Sequence, residues 1–188
     1  MSIKIESIGG SLESEIDSAF SHTEVYLGFL ENFSALTEPK DLYGGSAATK
    51  LEELVTISTA HTFNRGFGFI KIKAHQESVG LETTQIGDPN LSPVQENKLT
   101  FKMVGSKPEL LGFKRMVTGR DLIVLATEFA SANVRQIGSA KFAAKLIESS
   151  SKIEALRGGE NALTFVFADK QKYDAPIYTG SITLQPTG

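Results

Sequence analysis

The sequence has no cysteine. That excludes disulfides, thiolate metal sites and cysteine nucleophiles together, and it suits a protein made in a reducing cytoplasm. Long hydrophobic runs are missing as well: no stretch approaches the ~18 apolar residues of a membrane-spanning helix. The N-terminal Met1-Ser2-Ile3-Lys4-Ile5-Glu6-Ser7 alternates like a strand and is interrupted by charge, unlike the continuous apolar core of a signal peptide. The expectation is a protein made in the cytoplasm, with no signal peptide and no membrane span. A charge of one sign is also absent. The 19 basic and 22 acidic residues, for a net charge of −3, are spread along the chain, with neither a basic block that would track phosphates nor an acidic tail. Ordinary nucleic-acid binding is thereby disfavoured.

What is present is an average soluble composition, 40% hydrophobic and 22% charged over 188 residues. That length suits a single domain, 1–188, large enough to bury about 70% of the surface its unfolded chain would expose. No internal repeat, linker or low-complexity tract divides it. Leu12, Ile16, Ala19 and Phe20 fit a short amphipathic helix after a Gly9-Gly10 hinge. Val25, Leu27 and Phe29 alternate with Glu24, Tyr26 and Gly28 in a strand expected over Thr23–Leu30. From Asn32 to Ser46 the pattern breaks into a long loop, a candidate contact arm because compact domains seldom carry such loops idly.

The β-rich body starts near Leu51. Leu54–Phe63 has the β-branched and aromatic content of a strand, and Asn64-Arg65-Gly66 turns the chain into Phe67–His75. There Ile70, Ile72 and Ala74 share one face, and Phe69, Lys71, Lys73 and His75 the other. Gln76–Thr84 continues in alternating polar style to a turn at Gly87-Asp88-Pro89-Asn90, so a long hairpin is expected. Leu99, Phe101 and Met103 mark the next strand. Ser106-Lys107-Pro108-Glu109 reads as a capping box with Ser106 as N-cap. Leu110, Leu111, Phe113 and Val117 would line the buried face of the helix that follows, with Lys114 and Arg115 complementing its dipole. Gly119-Arg120-Asp121 ends it and Leu122–Leu125 begins a strand. Asn133–Gly138 reads as a turn. Lys141–Ile153 is open between helix, for its alanines, and something else, for its three serines at 149–151. Arg157-Gly158-Gly159-Glu160-Asn161 reads as a turn. The apolar run Ala162–Ala168 suggests a central, doubly covered strand, and Ile177–Leu184 the last strand.

Chemistry is sparse. His22, His61 and His75 lie far apart without the spacing of a helical zinc motif, so each is expected to be structural or at the surface. No Gly-x-Ser-x-Gly elbow occurs, and Ser139 reads as a turn serine. Gly9-Gly10, Gly44-Gly45 and Gly158-Gly159 lack the Gly-Lys-Ser/Thr ending of a phosphate loop. Arg65-Gly66-Phe67-Gly68-Phe69 has part of the aromatic motif of RNA-recognition sheets and lacks the rest. The adjacent Glu52 and Glu53 face different ways and read as solvated surface. No catalytic, cofactor-binding or metal-binding residue is expected, and no cofactor.

One order of segments is recognisable. It runs from Leu99-Thr100-Phe101-Lys102 through Leu110-Leu111-Gly112-Phe113 and Leu122-Ile123-Val124-Leu125 to Arg135-Gln136-Ile137-Gly138. Gly158-Gly159-Glu160-Asn161, Leu163-Thr164-Phe165-Val166-Phe167 and Ala175-Pro176-Ile177-Tyr178-Thr179-Gly180 follow. In element order and texture, from about Val55 to the end, the chain resembles the tail tube (major tail) proteins of tailed bacteriophages. That resemblance implies a β-rich α+β fold: an antiparallel β-sandwich or barrel with a short flanking helix at about 106–118. It implies a non-enzymatic virion protein, six copies of which form a ring whose sheets join around a lumen. Stacked rings would then conduct DNA. The partners would be other copies of the chain, neighbouring tail proteins and DNA in transient, non-specific passage. The N-terminal segment 1–22, the loop 32–46 and the hairpin around Gly87–Leu91 would be the contact elements. The physical logic holds separately, since a ring pairs exposed edge strands. Mixed surface charge would let DNA slide, although the basic face of Lys71, Lys73 and His75 suits an outer surface better than a conduit. Another virion component (capsid decoration or tail completion), a small-ligand-binding β-barrel with an enclosed apolar pocket, and an enzyme with a dispersed site are the alternatives.

Overall fold

The run Leu122-Ile123-Val124-Leu125-Ala126 has no polar alternation, so a strand made from it needs apolar cover on both faces. All five residues are fully buried, and the rest of the fold is arranged around them. The computed structural model describes residues 24–186 apart from 46, 92, 106, 129–130 and 156–158. In chain order the described residues form β1 (Glu24–Phe29), β2 (Phe33–Ala35), β3 (Thr56–Ile57), β4 (Thr62–Phe63), β5 (Ile70–Lys73), β6 (Gly80–Ile86) and β7 (Val94–Val104). Then come the helix α1 (Pro108–Val117), β8 (Leu122–Thr127), β9 (Val134–Ile137), β10 (Lys145–Ile153), β11 (Asn161–Gln171) and β12 (Ile177–Tyr178). Short 3-10 turns follow β1 (Leu30–Asn32) and precede β3 (Leu51–Leu54).

The strands form a six-stranded sheet, β3-β12-β9-β8-β1-β5, a four-stranded sheet, β10-β11-β7-β6, and a ribbon, β2-β4. The fold is thus β-rich α+β, and none of these sheets closes into a barrel. The larger core lies between the two main sheets. Val25, Leu27, Leu122, Val124 and Ile137 meet Leu99, Phe101, Leu163, Phe165 and Phe167 from the four-stranded sheet there, with Val117 of α1. The rings of Phe101 lie 5.6 and 5.7 Å from those of Phe165 and Phe167, and Phe113 of α1 meets Phe165 edge-on. Each such side chain contributes about 1.5–3 kcal/mol on full burial. On the other face of β8, Ile123 and Leu125 join Ile57, Phe69 and Tyr178, with Phe33 and Phe63 of the ribbon packed against them.

Several segments depart from the sequence reading. Leu54–Phe63 is not one strand. Ile57 pairs in parallel with Tyr178, while Phe63 pairs with Phe33 in a different sheet. His61, between them, spends its backbone N–H on the Tyr178 hydroxyl (3.1 Å) rather than on a strand ladder. Asn133–Gly138 is not a turn; its centre is β9, and only Gly138, at φ 97°, breaks the extension. Its polar residues misled because Gln136 is buried with internal partners. Ile177–Leu184 pairs as a strand for two residues. It then turns across Gly180, where a Cβ would stand 2.7 Å from Ala60 Cα.

Ser106 lies outside the described residues. The N-cap is Lys107, extended and without a side-chain bond, because the residue before a proline is pushed from helical geometry and Pro108 occupies the first helical position. Leu111 is exposed, whereas Leu110, Phe113 and Val117, spaced three and four apart, face the protein. The expected hairpin is β6–β7 through Gly87–Asn90; β5 instead pairs with β1. Lys141–Ile153 resolves to β10, whose serines pair with Leu163, Thr164 and Phe165. β11 is an inner strand, as its apolar run implies, but it is not covered on both faces: Thr164 and Val166 are only half-buried and Lys170 is exposed on its outward side. Part of the Arg157–Asn161 turn and the N-terminal strand, helix and His22 lie outside the described residues.

Gly28 sets how closely the ribbon approaches the six-stranded sheet. A Cβ there would lie 2.6 Å from Phe33 Cζ, and that ring is hemmed in by Phe63 and Phe69 at 4.2 and 5.6 Å. Gly28→Ala should therefore lower stability by about 1–3 kcal/mol through overpacking, read as a reduced denaturant midpoint with an unchanged slope.

Candidate assembly interface

The two main sheets treat their edges differently. At the ends of the six-stranded sheet stand β3, two residues long, and β5, four residues with Lys71 and Lys73 projecting. The chain just ahead of β5 is also covered: Phe69 N–H donates to Thr183 O and Gln185 N–H to Phe69 O, at 2.8 and 3.0 Å. Short, lysine-bearing and covered edges discourage further pairing. The four-stranded sheet ends in β6 and β10, seven and nine residues long. Among the described residues each pairs on one side only. Ile147, at the β10 bulge, and Ile153, at its end, are 54% and 67% exposed.

The outward face of the four-stranded sheet is polar by strand alternation: Leu163, Phe165 and Phe167 point to the core, so Thr164 and Val166 point away. Its lysines stand beside carboxylates. Lys98 meets Glu96 (3.0 Å), Lys102 meets Glu160 (2.8 Å), Lys145 meets Asp121 (3.2 Å), and Lys152 meets Glu154 and Glu160 (2.5 and 3.5 Å). Lys170 lies 3.8 Å from Glu96. Such exposed pairs contribute little stability; their effect is to balance charge across the face. Lys71 and Lys73 belong to the other sheet, where Lys71 is paired with Glu24, whereas His75, beyond the end of β5, donates its backbone N–H to Lys102 O of β7 at 2.7 Å.

Of the expected contact elements, the segment 1–22 lies outside the described residues. The loop 32–46 begins as β2 and then runs outward, leaving Leu42 and Tyr43 at 55% and 87% exposure. Its far end is tied down: Lys40 N–H donates to Glu53 O (3.0 Å) and Ala48 N–H to Asp41 O (2.9 Å). Glu53 is more than solvated surface. It accepts from Lys40 Nζ and Thr49 N–H at 2.8 and 2.7 Å, and the Lys40 bond, foremost, brings its pKa down to about 2. The hairpin at Gly87–Leu91 is held by Asn90 N–H on Asp88 Oδ1 (2.8 Å) and leaves Leu91 exposed.

Two buried polar clusters hold the sheets and loops in place, and neither was read from sequence. Asp169, on β11, accepts from Asn97 Nδ2 (2.8 Å) of β7, and also from Gly138 N–H and Gln171 Nε2. Asn97 Oδ1 in turn accepts from Thr83 Oγ1 (2.7 Å) and Ala175 N–H (3.0 Å). The signal was available in strand parity. Asp169 and Gln171 continue the inward series Leu163, Phe165, Phe167, and Asn97 continues Leu99 and Phe101. The second cluster surrounds His61, which is stacked on Tyr178 at 4.7 Å and bonded through Nε2 to Gln136 Oε1 at 2.7 Å. His75 is exposed. Ser139 makes a tight turn, its Oγ accepting from Phe142 N–H (3.1 Å). Among the described residues no three His, Asp or Glu side chains gather as a metal-binding group, and no helix is long and apolar enough to cross a membrane.

Burial raises the Asp169 pKa above its ordinary 3.8, against the three donors that favour the anion. The folded chain therefore holds that proton more tightly than the unfolded one, and this group's contribution to stability falls as pH rises from 3.8 through its folded-state value. In Asp169→Asn an amide NH2 replaces one acceptor among fixed donors, and Asn97 cannot flip without setting its NH2 against the Ala175 N–H. The variant should be less stable by about 1–3 kcal/mol in chemical denaturation at neutral pH. No protein-family model matches the chain, and neither a curated protein nor a solved structure matches it.

Proposed function

We propose that this chain is a non-enzymatic structural protein of a tailed-bacteriophage virion, a tail-tube subunit. Copies join through their four-stranded sheets into a ring around a lumen, and rings stack into a tube that passes DNA. The observation that carries the reading is the pair of long edges on one sheet that no described strand pairs. All three pairings across β10-β11-β7-β6 are antiparallel, so the end strands β10 and β6 run in opposite directions. A second copy, rotated about an axis roughly along the strands, sets its β6 beside β10 with the antiparallel alternation unbroken. Such a head-to-tail contact is heterologous and generates a ring when the rotation closes. β6 carries only the acidic Glu82, while β10 carries Lys145 and Lys152 against one Glu148, so the approaching edges are weakly complementary.

In this arrangement the two main sheets form a sandwich, and the polar outer face of the four-stranded sheet lines the lumen. Charge-balanced lysines on that wall would contact phosphates without holding them, because DNA affinity scales with the number of phosphates neutralised by uncompensated cations. Lys71 and Lys73 stand on β5 of the other sheet, which this arrangement sets away from the lumen. Six copies, the number the tail-tube resemblance implies, would be joined through the same edge contact, with Leu42-Tyr43 and the Gly87–Leu91 hairpin available between rings.

Light scattering over a concentration series, followed by negative-stain imaging of the heaviest species, tests the proposal. Rings or tubes are expected from the natural chain. Ile147→Lys combined with Ile153→Lys puts charge on the exposed β10 edge, where surface changes alter stability by only about 0.5 kcal/mol each. It should abolish rings while leaving the denaturation midpoint nearly unchanged. A monomer at every concentration, or rings that survive the double substitution, would count against edge pairing.

A further inference from the structure

The chain that leaves β2 is tied at Thr37 to a histidine by a hydrogen bond whose direction is fixed by its neighbours. Gln136 Nε2 donates to Gly138 O (3.0 Å), which turns Gln136 Oε1 toward His61. Facing that oxygen at 2.7 Å, His61 Nε2 must carry a hydrogen. In the neutral ring Nδ1 is then an acceptor, and the group opposite it is the backbone N–H of Thr37, 3.2 Å away. His61 is 3% exposed, so no solvent stands ready to replace either partner.

We propose that His61 is a proton-operated latch on the segment Leu36–Lys40: the neutral ring holds Thr37, and a proton taken from solvent at Nδ1 sets two donors against each other and releases it. The groups facing the ring leave little to offset a positive charge. Tyr178 stacks on it and donates its hydroxyl to Ser181 O (2.9 Å), while Phe33 and Phe69 lie 5.8 and 6.4 Å away. Glu38, next to Thr37, directs Oε1 to Ala140 N–H (3.1 Å), and Arg135 projects from the opposite face of β9 to Gln136. Burial, foremost, lowers the His61 pKa below its ordinary 6.5, against the Gln136 bond, which favours the cation. Opening the loop restores the ordinary value, so acid favours the open form. The sign follows from linkage: with its folded pKa depressed, the latch is closed above pH 6.5 and loses stability as pH falls below it. The distal anchor does not follow, because Glu53 stays ionised far below that range. The segment set free is the short stretch from Leu36 to Lys40, between β2 and that anchor.

This inference concerns the isolated chain and stands apart from the assembly reading, so it is tested on the monomeric full-length protein. Long-range nitrogen–proton spectra of the imidazoles and amide exchange are recorded from pH 8 to pH 5, with exchange corrected for its intrinsic pH dependence. His61 should show the Nε2–H tautomer at neutral pH. Thr37 protection should fall by up to about tenfold per pH unit below 6.5, with the midpoint of His61 itself, while the amides of β8 stay protected. His61→Asn keeps an acceptor near Thr37 and cannot titrate; it should flatten the response. An Nδ1–H tautomer at neutral pH would overturn the latch. So would Thr37 protection that ignores the His61 titration, or loss of Thr37 and β8 protection together.

Discussion

A strand with no polar face cannot stand at a surface, and β8 is such a strand. Its alternate residues enter two cores, so the six-stranded sheet must be covered on both sides. The four-stranded sheet and α1 supply one cover through their phenylalanines. The other is assembled from less regular pieces: the β2–β4 ribbon, the chain around His61 and the segment after β12. Cover made of irregular backbone brings polar groups with it, and a buried polar group left unpaired costs about 1–3 kcal/mol. Hence the second core contains His61 and Gln136 with fixed partners, and the seam where β7 and β11 meet the exit of β9 contains Asp169 and Asn97.

Much of this was legible wherever side-chain alternation and burial coincide. Leu99, Phe101 and Met103 marked β7, the apolar run 162–168 marked the interior position of β11, and the two faces of Ile70–Lys73 were assigned correctly. The failures have a common cause. Arg135-Gln136 looked like a turn because two long polar side chains stood together, yet the partners that bury Gln136, His61 and Gly138, include one far away in sequence. Leu54–Phe63 looked like one strand because β-branched content carries no information about which sheet each half joins. The edge position of β10 was equally hidden: Ser149-Ser150-Ser151 says little by itself, and edge status depends on what lies beside a strand. The assembly surface proposed here is thus a property of strand order rather than of any local motif.

The fold and the assembly make separate demands. Both cores are built from buried side chains of one chain. The contrast between the blunted edges of one sheet and the long edges of the other means that association, if it occurs through strands, has a preferred side. Mixed charge on the outward face favours solubility without building a strong field of either sign.

The strand order also dictates when the molecule can finish forming. β1, among the earliest described strands to leave the ribosome, sits between β5 and β8, and β8 lies almost a hundred residues downstream in the register of Leu27 opposite Val124. β3 must wait longer still, for Ile177 and Tyr178 near the end of the chain. The hairpins β6–β7 and β10–β11 close locally, but β7 can join β11 only after the intervening helix and three strands have been made. Long-range pairings of this kind slow folding and leave strand edges bare on the growing chain. On crowded polysomes neighbouring unfinished copies would present one another with the same bare edges, so timing of synthesis becomes a determinant of whether strands pair within a chain or between chains.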